Sequence, residues 1–423
     1  MILRDYQITL AGEIVKRLQT LGIAYLAAQV RTGKTATSLQ AAHDYLSGLN
    51  LSNQLVLFIT KKKAISSIMS DAAALDVKYD LLVINYEQIQ NIEQHIKKNV
   101  ALVIIDEAHS LGAYPKPSER SKQLKQFIFT RPVIFLSGTP SPESYSQIYH
   151  QFFIHSLSPF AEYANFYAWA KDFVYIKQKR YAHGLVNDYS NANKDKVEQA
   201  IKPYMITFTQ EEAGFTEMVN EYVIDVQMQA STYAFAKKLT QDRVVQNKDG
   251  DVVMADTNVK LMNKLHQIYS GSVIVDQPER TSAAFDNTKA VYIRDTFKGQ
   301  KIAIFYKFIA ELQLLRAAFG KRIVETPEEF RDGDADCIYV SQIQSGREGI
   351  NLSSADALIM FNIDFSAVSY FQARARMQSR ERTTPAKLYW IFAKDGIEHK
   401  IYKRVLNKED YTISYFKKDF AIK

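Results

Sequence analysis

Gln29-Val30-Arg31-Thr32-Gly33-Lys34-Thr35 lies between an apolar run, Ile23 to Ala28, and a segment with helical character, Thr35 to Leu46. This order of strand, turn and helix points the N–H groups and the dipole of the helix at a bound anion. Gly33 lets the backbone N–H groups close around a phosphate, Lys34 neutralises the phosphate oxygens, and the Thr35 hydroxyl is a ligand for Mg²⁺. The stretch therefore predicts a nucleotide-phosphate loop in an α/β fold.

An acidic motif, Asp106-Glu107-Ala108-His109, supports this interpretation. It follows the apolar, strand-like run from Asn99 to Ile105, so both carboxylates stand at the carboxyl end of a strand. Such a pair can hold Mg²⁺ and orient a water molecule. The alternative is a solvated helix start capped by Asp106, but an acidic pair directly after buried residues is costly without a cation.

The length and charge of the chain limit the number of domains and the kind of partner. The chain has 423 residues, 47% of them hydrophobic, which is enough for two or three domains with sizeable cores. Its net charge of +7 indicates an anionic partner or simply aids solubility. Residues 371–423 hold 13 Lys and Arg against 6 Asp and Glu, so the positive charge is concentrated at the C-terminus.

The single cysteine, Cys337, lies in an apolar run, where a buried strand residue and a reducing compartment are expected. The N-terminus has no apolar core of a signal peptide, and no run of 18 apolar residues occurs. We therefore expect a cytoplasmic protein without membrane contact, or one in the host cytoplasm if a phage encodes it.

Short apolar runs alternate with amphipathic stretches in the rhythm of a parallel sheet. This rhythm occurs twice, which predicts two sheets. The first set of strands is Ala24–Ala28, Gln54–Thr60, Leu81–Asn85, Leu102–Ile105 and Val133–Ser137, and the second is Lys301–Tyr306, Asp336–Ser341, Ala357–Asn362 and Lys387–Phe392.

The segment between the two sets is rich in Tyr and Phe and has a mostly helical pattern. Its Asp249-Gly250 pair, between two pairs of valines, predicts a hairpin that either touches a ligand or is a plain surface turn. The predicted organisation is a first lobe over residues 1–145, a mostly helical insertion over 146–290, and a second lobe over 291–423.

The second lobe carries motifs of its own. Residues 345–352 form a glycine-containing loop after a strand, and residues 370–380 have a helical pattern. Arg376 and Arg380, four residues apart, project from one face of that helix. They either form a solvated face or reach a γ-phosphate held by the first lobe.

Six motifs in order resemble those of superfamily 2 helicases, and within them the Swi2/Snf2-type double-stranded DNA translocases. They are Leu3-Arg4-Asp5-Tyr6-Gln7, Arg31-Thr32-Gly33-Lys34-Thr35, Asp106-Glu107-Ala108-His109, Ser137-Gly138-Thr139-Pro140, Gly349-Ile350-Asn351-Leu352 and Gln372-Ala373-Arg374-Ala375-Arg376. The resemblance implies two tandem RecA-like parallel-sheet lobes that use ATP and Mg²⁺.

The resemblance also implies roles for individual residues. Gln7 would read the adenine, Glu107 would polarise the attacking water, and Gln372, Arg376 and Arg380 would sense the γ-phosphate. The remaining nucleotide site would consist of Arg31, Thr32, Gly33, Lys34, Thr35 and Gly349, with Thr35 and Asp106 on Mg²⁺. The nucleic-acid contacts would be Lys61, Asn85, Tyr86, Ser341 and Asn351.

Three positions depart from the family pattern. Arg31 replaces the first glycine of the phosphate loop, where it either tightens the backbone or adds a phosphate contact. Arg347 replaces a glycine of the loop before Ile350. Ser379 stands where the second arginine is expected, so Arg380 is the candidate for that role.

These features predict a DNA-dependent ATPase that moves along double-stranded DNA as a monomer. We expect a protein with few domains beyond the ATPase itself, from a phage or a bacterium. The sequence does not indicate which proteins bind to the chain. The alternatives are a strand-separating DNA or RNA helicase, an RNA-directed ATPase, and a nucleic-acid-binding scaffold without catalysis. Intact Lys34, Thr35, Asp106 and Glu107 argue against the scaffold.

Overall fold

A computed structural model describes residues 1–49, 55–92, 98–142, 144–181, 184–214, 219–343, 352, 354–366, 369–370 and 385–406. The chain divides into two compact units, Met1–Phe215 and Thr216–Lys423. Each unit is built on one six-stranded sheet. Among the described residues, no helix has both the length and the apolar character needed to cross a membrane.

The first unit has a fully parallel sheet. Its strands are β1 (Ile23–Ala28), β2 (Leu55–Thr60), β3 (Asp80–Asn85), β4 (Val100–Ile105), β5 (Val133–Leu136) and β8 (Met205–Phe208). They are arranged in the order β3-β2-β4-β5-β1-β8. The helices of this unit are α1 (Asp5–Leu21), α2 (Lys34–Ser47), α3 (Ile65–Leu75), α4 (Glu119–Ile128), α5 (Gln147–Phe152), α6 (Phe166–Phe173) and α7 (Lys194–Ile201).

Helices cover both faces of this sheet because its strands are apolar on both sides, as in other parallel sheets. One hydrophobic core packs α1, α2 and α3 against side chains such as Leu26 and Phe58. The other packs α4 to α7 against side chains such as Tyr25 and Phe135 and includes a dense aromatic group around Tyr149 and Trp169. The carboxyl edge of the sheet is left for polar loops.

The second unit also has a parallel sheet. Its strands are β9 (Val219–Val226), β14 (Ile302–Tyr306), β15 (Ile323–Val324), β16 (Ile338–Gln342), β17 (Ala357–Met360) and β18 (Ala386–Ala393). They are arranged in the order β15-β16-β14-β17-β18-β9. The helices are α8 (Ala230–Asp242), α9 (Asn258–Ile268), α10 (Thr288–Thr296), α11 (Ile309–Phe319), α12 (Pro327–Asp332) and α13 (Glu398–Leu406). Again a core lies on each face.

The two sheets confirm the predicted α/β class with two parallel-sheet lobes, and the predicted strands match the observed ones to within about two residues. Cys337 is buried as expected, although it precedes β16 and does not belong to the strand. The Asp249-Gly250 turn joins β10 (Val244–Gln246) to β11 (Val252–Met254) in the predicted antiparallel hairpin.

Residues 146–290 differ from the predicted mostly helical insertion. They are divided between the two units, because β8 pairs with β1 of the first sheet and β9 pairs with β18 of the second. They also contain antiparallel pairs that the sequence did not predict, β6 (Lys177–Tyr181) with β7 (Gly184–Asp188) and β12 (Ser272–Val275) with β13 (Thr281–Ala284). The segment therefore supplies an edge strand to each six-stranded sheet and also contains short hairpins that form separate two-stranded sheets.

Candidate nucleotide site

The phosphate loop follows β1 and ends at α2, as the sequence predicts. Gly33 is the N-cap of α2 and has φ +80°, a left-handed conformation that a residue with a Cβ adopts at a cost. Arg31 also has a positive φ, of +64°. The loop backbone therefore turns twice through the left-handed region, once at a glycine and once at the arginine that departs from the family pattern.

Side chains of the loop are held by hydrogen bonds within it. The Lys34 ammonium donates to Ala28 O at 3.0 Å and to Gln29 O at 3.1 Å. Thr32 donates from its hydroxyl to Gln29 O at 2.8 Å and is buried. Thr35 is half-buried at the start of α2. Lys34 and Thr35 thus lie at the helix N-terminus, where a phosphate and its cation bind.

Gln7 lies directly against this loop. Its amide Nε2 is 3.4 Å from Gly33 O, and its Oε1 accepts a hydrogen bond from Arg4 N at 3.0 Å. The neighbouring Tyr6 donates to Thr32 O and stacks on Phe208, with ring centroids 4.9 Å apart. The N-terminal motif and the phosphate loop are therefore one structural unit, although 26 residues separate Gln7 from Gly33.

Asp106 and Glu107 follow β4, two strands away from β1 in the sheet. Thr60 donates to Asp106 Oδ2 at 2.9 Å, and the Glu107 N–H donates to Asp106 Oδ1 at 2.9 Å. Removal from water and the neighbouring Glu107 carboxylate raise the pKa of Asp106 to about 6, and the Lys34 ammonium opposes that rise. Lys34 and Asp106 therefore interact electrostatically across the edge of the sheet.

The residues present fit ATP with Mg²⁺. An anion-binding helix start with a lysine lies beside an acidic pair in which burial and the neighbouring Glu107 carboxylate raise the pKa of Asp106. A bound cation stabilises such an arrangement. Among the described residues, no group of three or more His, Cys, Asp or Glu side chains could hold a metal by itself. Mg²⁺ at a nucleotide takes few protein ligands and completes its shell with phosphate oxygens and water.

His109 belongs to the acidic motif, and in the structure it connects Glu107 to Ser137. Its Nδ1 lies 3.2 Å from Glu107 Oε2 and 3.0 Å from the Oγ of Ser137, which follows β5. The Thr139 N–H donates to the same Oγ at 3.1 Å. The two motifs after β4 and β5 are therefore connected, and adjacency of these strands in the sheet is the signal that would have indicated it.

Two further residues near the loop were not predicted from the sequence. Gln210 donates from its backbone N–H to Gln29 Oε1 at 2.8 Å and from Nε2 to Val30 O at 3.0 Å. The carbonyl oxygen of Phe208 accepts from Gln29 N at 2.9 Å. Because β8 pairs with β1, the segment after β8 lies against the phosphate loop.

The predicted nucleic-acid contacts occupy different environments. Lys61 follows β2 and is half-buried, with exposed Lys62 and Lys63 after it. Asn85 is the last residue of β3 and caps the short 3₁₀ helix Tyr86–Asn91 by accepting from Gln88 N at 3.0 Å. Ser341 is half-buried near the end of β16.

The burial of Tyr86 does not fit the predicted contact with nucleic acid. It is only 3% exposed, belongs to a hydrophobic core, and its hydroxyl donates to Asp106 O. The turn at Asn85 directs the Tyr86 ring inward, so its role in this structure is to support the acidic motif. Gly349, Asn351, Gln372, Arg376 and Arg380 lie outside the described residues.

Comparisons with a family profile and with individual proteins point to the same family. The family profile described as SNF2-related domain matches residues 45–271. A Drosophila melanogaster protein described as a SWI/SNF-related matrix-associated actin-dependent regulator of chromatin, subfamily A containing DEAD/H box 1 homolog, is 23% identical over 254 residues, covering 53% of this chain and 29% of that protein. Danio rerio chromodomain-helicase-DNA-binding protein 1-like is 22% identical over 375 residues, covering 79% and 34%.

The chain thus spans about a third of the length of these two relatives. Among solved structures, the Sulfolobus solfataricus SWI2/SNF2 ATPase core in complex with dsDNA is 17% identical, with a TM-score of 0.43, and the alignment covers 99% of this chain and 92% of that one.

Proposed function

The chain belongs to the SNF2-related domain family, and on that premise we propose that it is an ATPase stimulated by double-stranded DNA that moves along the duplex. One observation carries the proposal. The phosphate loop and the Asp106–Glu107 pair meet at the carboxyl edge of one parallel sheet, with Lys34 close enough to Asp106 to affect its pKa. Ligands of open α/β sheets bind at this edge.

Each residue of the first unit has a distinct task in this proposal. The α2 N-terminus with Gly33 and Lys34 binds the phosphates, and Gln7 beside Gly33 reads the adenine. Thr35 and Asp106 hold Mg²⁺, which when bound offsets charge on the phosphate oxygens. Thr60 keeps Asp106 oriented through its hydrogen bond.

Glu107 is the residue that orients the attacking water. Its carboxylate lies next to His109, whose other partner is Ser137. A carboxylate packed against a fixed imidazole samples fewer rotamers, and a fixed acceptor positions water better than a mobile one. The Ser137–Thr139 turn is thereby linked to the water-activating group.

In this proposal Gln372, Arg376 and Arg380 are assigned to the γ-phosphate, and Gly349 is assigned to nucleotide binding. Their assignment depends on motif order in the sequence. Arginine supplied to a γ-phosphate stabilises transition-state charge, so hydrolysis is slow until these side chains are in place. Binding of DNA would favour that arrangement and so stimulate turnover.

The proposed DNA contacts are Lys61 and Asn85 in the first unit, and Ser341 and Asn351 in the second. Lys61 follows β2 and Asn85 ends β3, so both share the carboxyl edge of the sheet with the acidic motif. Contacts from such residues to phosphate carry little sequence information and weaken as salt increases. We therefore expect stimulation by duplexes of any sequence.

The deciding experiment compares ATP hydrolysis by the chain alone, with duplex DNA, with single-stranded DNA and with RNA. We expect the largest stimulation by duplex DNA. Glu107→Gln should lower the stimulated rate by about 10²-fold or more while ATP still binds, because it removes a catalytic base. Glu119→Gln, an exposed residue paired with Lys122 at the start of α4, is the matched control.

Hydrolysis that is insensitive to all three nucleic acids, or undiminished in Glu107→Gln, would overturn the proposal. Movement is tested separately by displacement of a third strand from a DNA triplex under ATP. Displacement without unwinding of a forked duplex supports translocation on double-stranded DNA, whereas unwinding of the fork supports a strand-separating helicase.

A further inference from the structure

A buried amide contacts the turn that follows β5, residues 137–140. Gln151, near the end of α5, is fully buried, and its Nε2 donates to Pro140 O at 2.7 Å and to Gln147 O at 3.1 Å. Its Oε1 accepts from the Tyr25 hydroxyl at 2.7 Å. The nitrogen and the oxygen of the amide thus both have partners, as a buried amide requires.

The partners of this amide determine its orientation. Pro140 O and Gln147 O can only accept hydrogen bonds, so the NH₂ group faces them and the carbonyl oxygen faces Tyr25. The Tyr25 hydroxyl must then donate to that oxygen. Tyr25 is a fully buried residue of β1, the strand that leads into the phosphate loop. Gln151 therefore connects that strand to the turn after β5.

The same turn contacts the acidic motif. Ser137 Oγ, at the start of the turn, is 3.0 Å from His109 Nδ1, and that nitrogen is 3.2 Å from Glu107 Oε2. Burial raises the pKa of Tyr25, a hydrogen bond with Ser137 opposes the rise, and the Glu107 carboxylate adds to it. The Tyr25 hydroxyl therefore interacts with both Ser137 and Glu107.

We propose that Gln151 is a positioning residue for ATP hydrolysis, acting through the turn after β5 on His109 and Glu107. The inference rests on the proposed function in one point, the assignment of Glu107 to the attacking water. Gln151 holds one end of the turn at Pro140 O, and His109 contacts the other end at Ser137. A displacement of about 1 Å, caused by a substitution away from the reacting atoms, can lower a rate about 100-fold.

A matched pair of substitutions in α5 separates positioning from packing. Gln151→Met keeps the approximate length of the side chain and removes the donor to Pro140 O. Tyr149→Phe removes a hydroxyl two residues earlier in the same helix, whose acceptor is Tyr163 O at 3.5 Å. If Gln151 only packs, the loss of activity in each variant should follow its loss of melting temperature.

The measurements are kcat, KM for ATP and melting temperature of the full chain, with saturating duplex DNA and without DNA. We expect Gln151→Met to lower kcat about tenfold while KM for ATP stays within about twofold of the wild-type value. Tyr149→Phe should change kcat by less than about twofold.

A double-mutant cycle with Ser137→Ala tests the route of the effect. Ser137→Ala breaks the contact between the turn and His109. In that background, Gln151→Met should lower kcat by less than about twofold, because the connection to Glu107 is already broken.

Tyr25→Phe is a second variant, for use where Gln151→Met does not fold. It keeps the ring and removes only the hydroxyl that donates to Gln151. Because the amide still donates to Pro140 O, we expect a smaller loss of kcat, about threefold. This loss should also disappear in the Ser137→Ala background.

Equal losses of kcat on Gln151→Met in the wild-type and Ser137→Ala backgrounds would overturn the positioning role. So would a Gln151→Met variant with wild-type kcat, or losses in both α5 variants that follow the melting temperature. If Glu107→Gln does not lower hydrolysis, the proposed function fails and this inference fails with it. If Glu107→Gln lowers hydrolysis but the cycle is additive, only this inference fails. Because the cycle is also measured without DNA, a lack of stimulation by duplex DNA contradicts only the proposed function.

Discussion

His109 Nδ1 lies 3.0 Å from Ser137 Oγ, a hydrogen bond that connects the ends of β4 and β5 across 28 residues of sequence. The same imidazole nitrogen is 3.2 Å from the Glu107 carboxylate, and the same hydroxyl accepts from Thr139 N. Glu107 is thereby connected to the Ser137–Pro140 turn. A conformational change in that turn would therefore shift Glu107, the residue proposed to orient water.

Ser137→Ala should uncouple the two motifs. The substitution removes the hydroxyl shared by His109 and Thr139, so Glu107 loses the support of a fixed imidazole. We expect DNA-stimulated kcat to fall about tenfold while ATP affinity is retained. Steady-state hydrolysis and equilibrium ATP binding measure the two effects. Ser47→Ala, at the exposed end of α2, is the control, and an unchanged stimulated kcat in Ser137→Ala would contradict the coupling.

Gly33→Ala and Gly12→Ala should have opposite effects on stability. At Gly33, φ is +80° and a Cβ would overlap Gln7 Nε2, whereas at Gly12, inside α1, nothing lies within 4 Å of a Cβ. We expect Gly33→Ala to cost about 1 kcal/mol and to weaken ATP binding, and Gly12→Ala to stabilise the chain by about 0.5–1 kcal/mol. Denaturant unfolding measures the free energy of unfolding, and ATP titration measures the affinity for ATP. Stability changes of the same sign in the two variants would contradict the explanation from backbone conformation.

The sequence predicted those parts of the site that are contiguous in the chain. The phosphate loop, the acidic pair and the strands that precede them were located because each is a local pattern of apolar residues followed by a motif. Contacts between distant segments were missed. Gln210 and Val30 are 180 residues apart, and only the pairing of β8 with β1 brings them together.

Two strands and one side chain illustrate the same limit. β8 is only four residues long, and β9 carries Asn220, Glu221 and Asp225, so β9 lacks the apolar character of a central strand. Both are edge strands, and their pairing with the sheet decides their conformation. Tyr86 follows a strand, as a nucleic-acid contact would, but the cap at Asn85 turns its ring into the core.

His150 should make the stability of the first unit dependent on pH. Burial lowers its pKa to about 4 from an ordinary value of 6.5, and its Nδ1 is 2.6 Å from Ala113 O. Because the unfolded chain binds the proton at higher pH than the folded one, stability is lost as pH falls from 6.5 towards 4. The expected loss is on the order of 3 kcal/mol.

His150→Asn keeps a donor for Ala113 O but does not titrate, so it isolates this contribution from that of other groups. Urea unfolding between about pH 7 and pH 4, followed by Trp169 fluorescence in a Trp390→Phe background, gives the comparison within the first unit. The difference in stability between the wild-type side chain and the His150→Asn variant should shrink as pH falls. A constant difference would show that His150 does not titrate in this way.

Gln210→Ala should weaken ATP binding although Gln210 lies outside every nucleotide motif. Its Nε2 donates to Val30 O at 3.0 Å, and its backbone N–H donates to Gln29 Oε1, so it holds the start of the phosphate loop against β8. Without the amide, the left-handed turn at Arg31 loses a support, and the loop must be ordered by the nucleotide itself. We expect ATP affinity to fall about tenfold, measured by titration of a fluorescent ATP analogue. Gln199→Ala on the exposed face of α7 is the control for loss of a glutamine side chain. Equal affinities of the two variants would mean that the loop is ordered without Gln210.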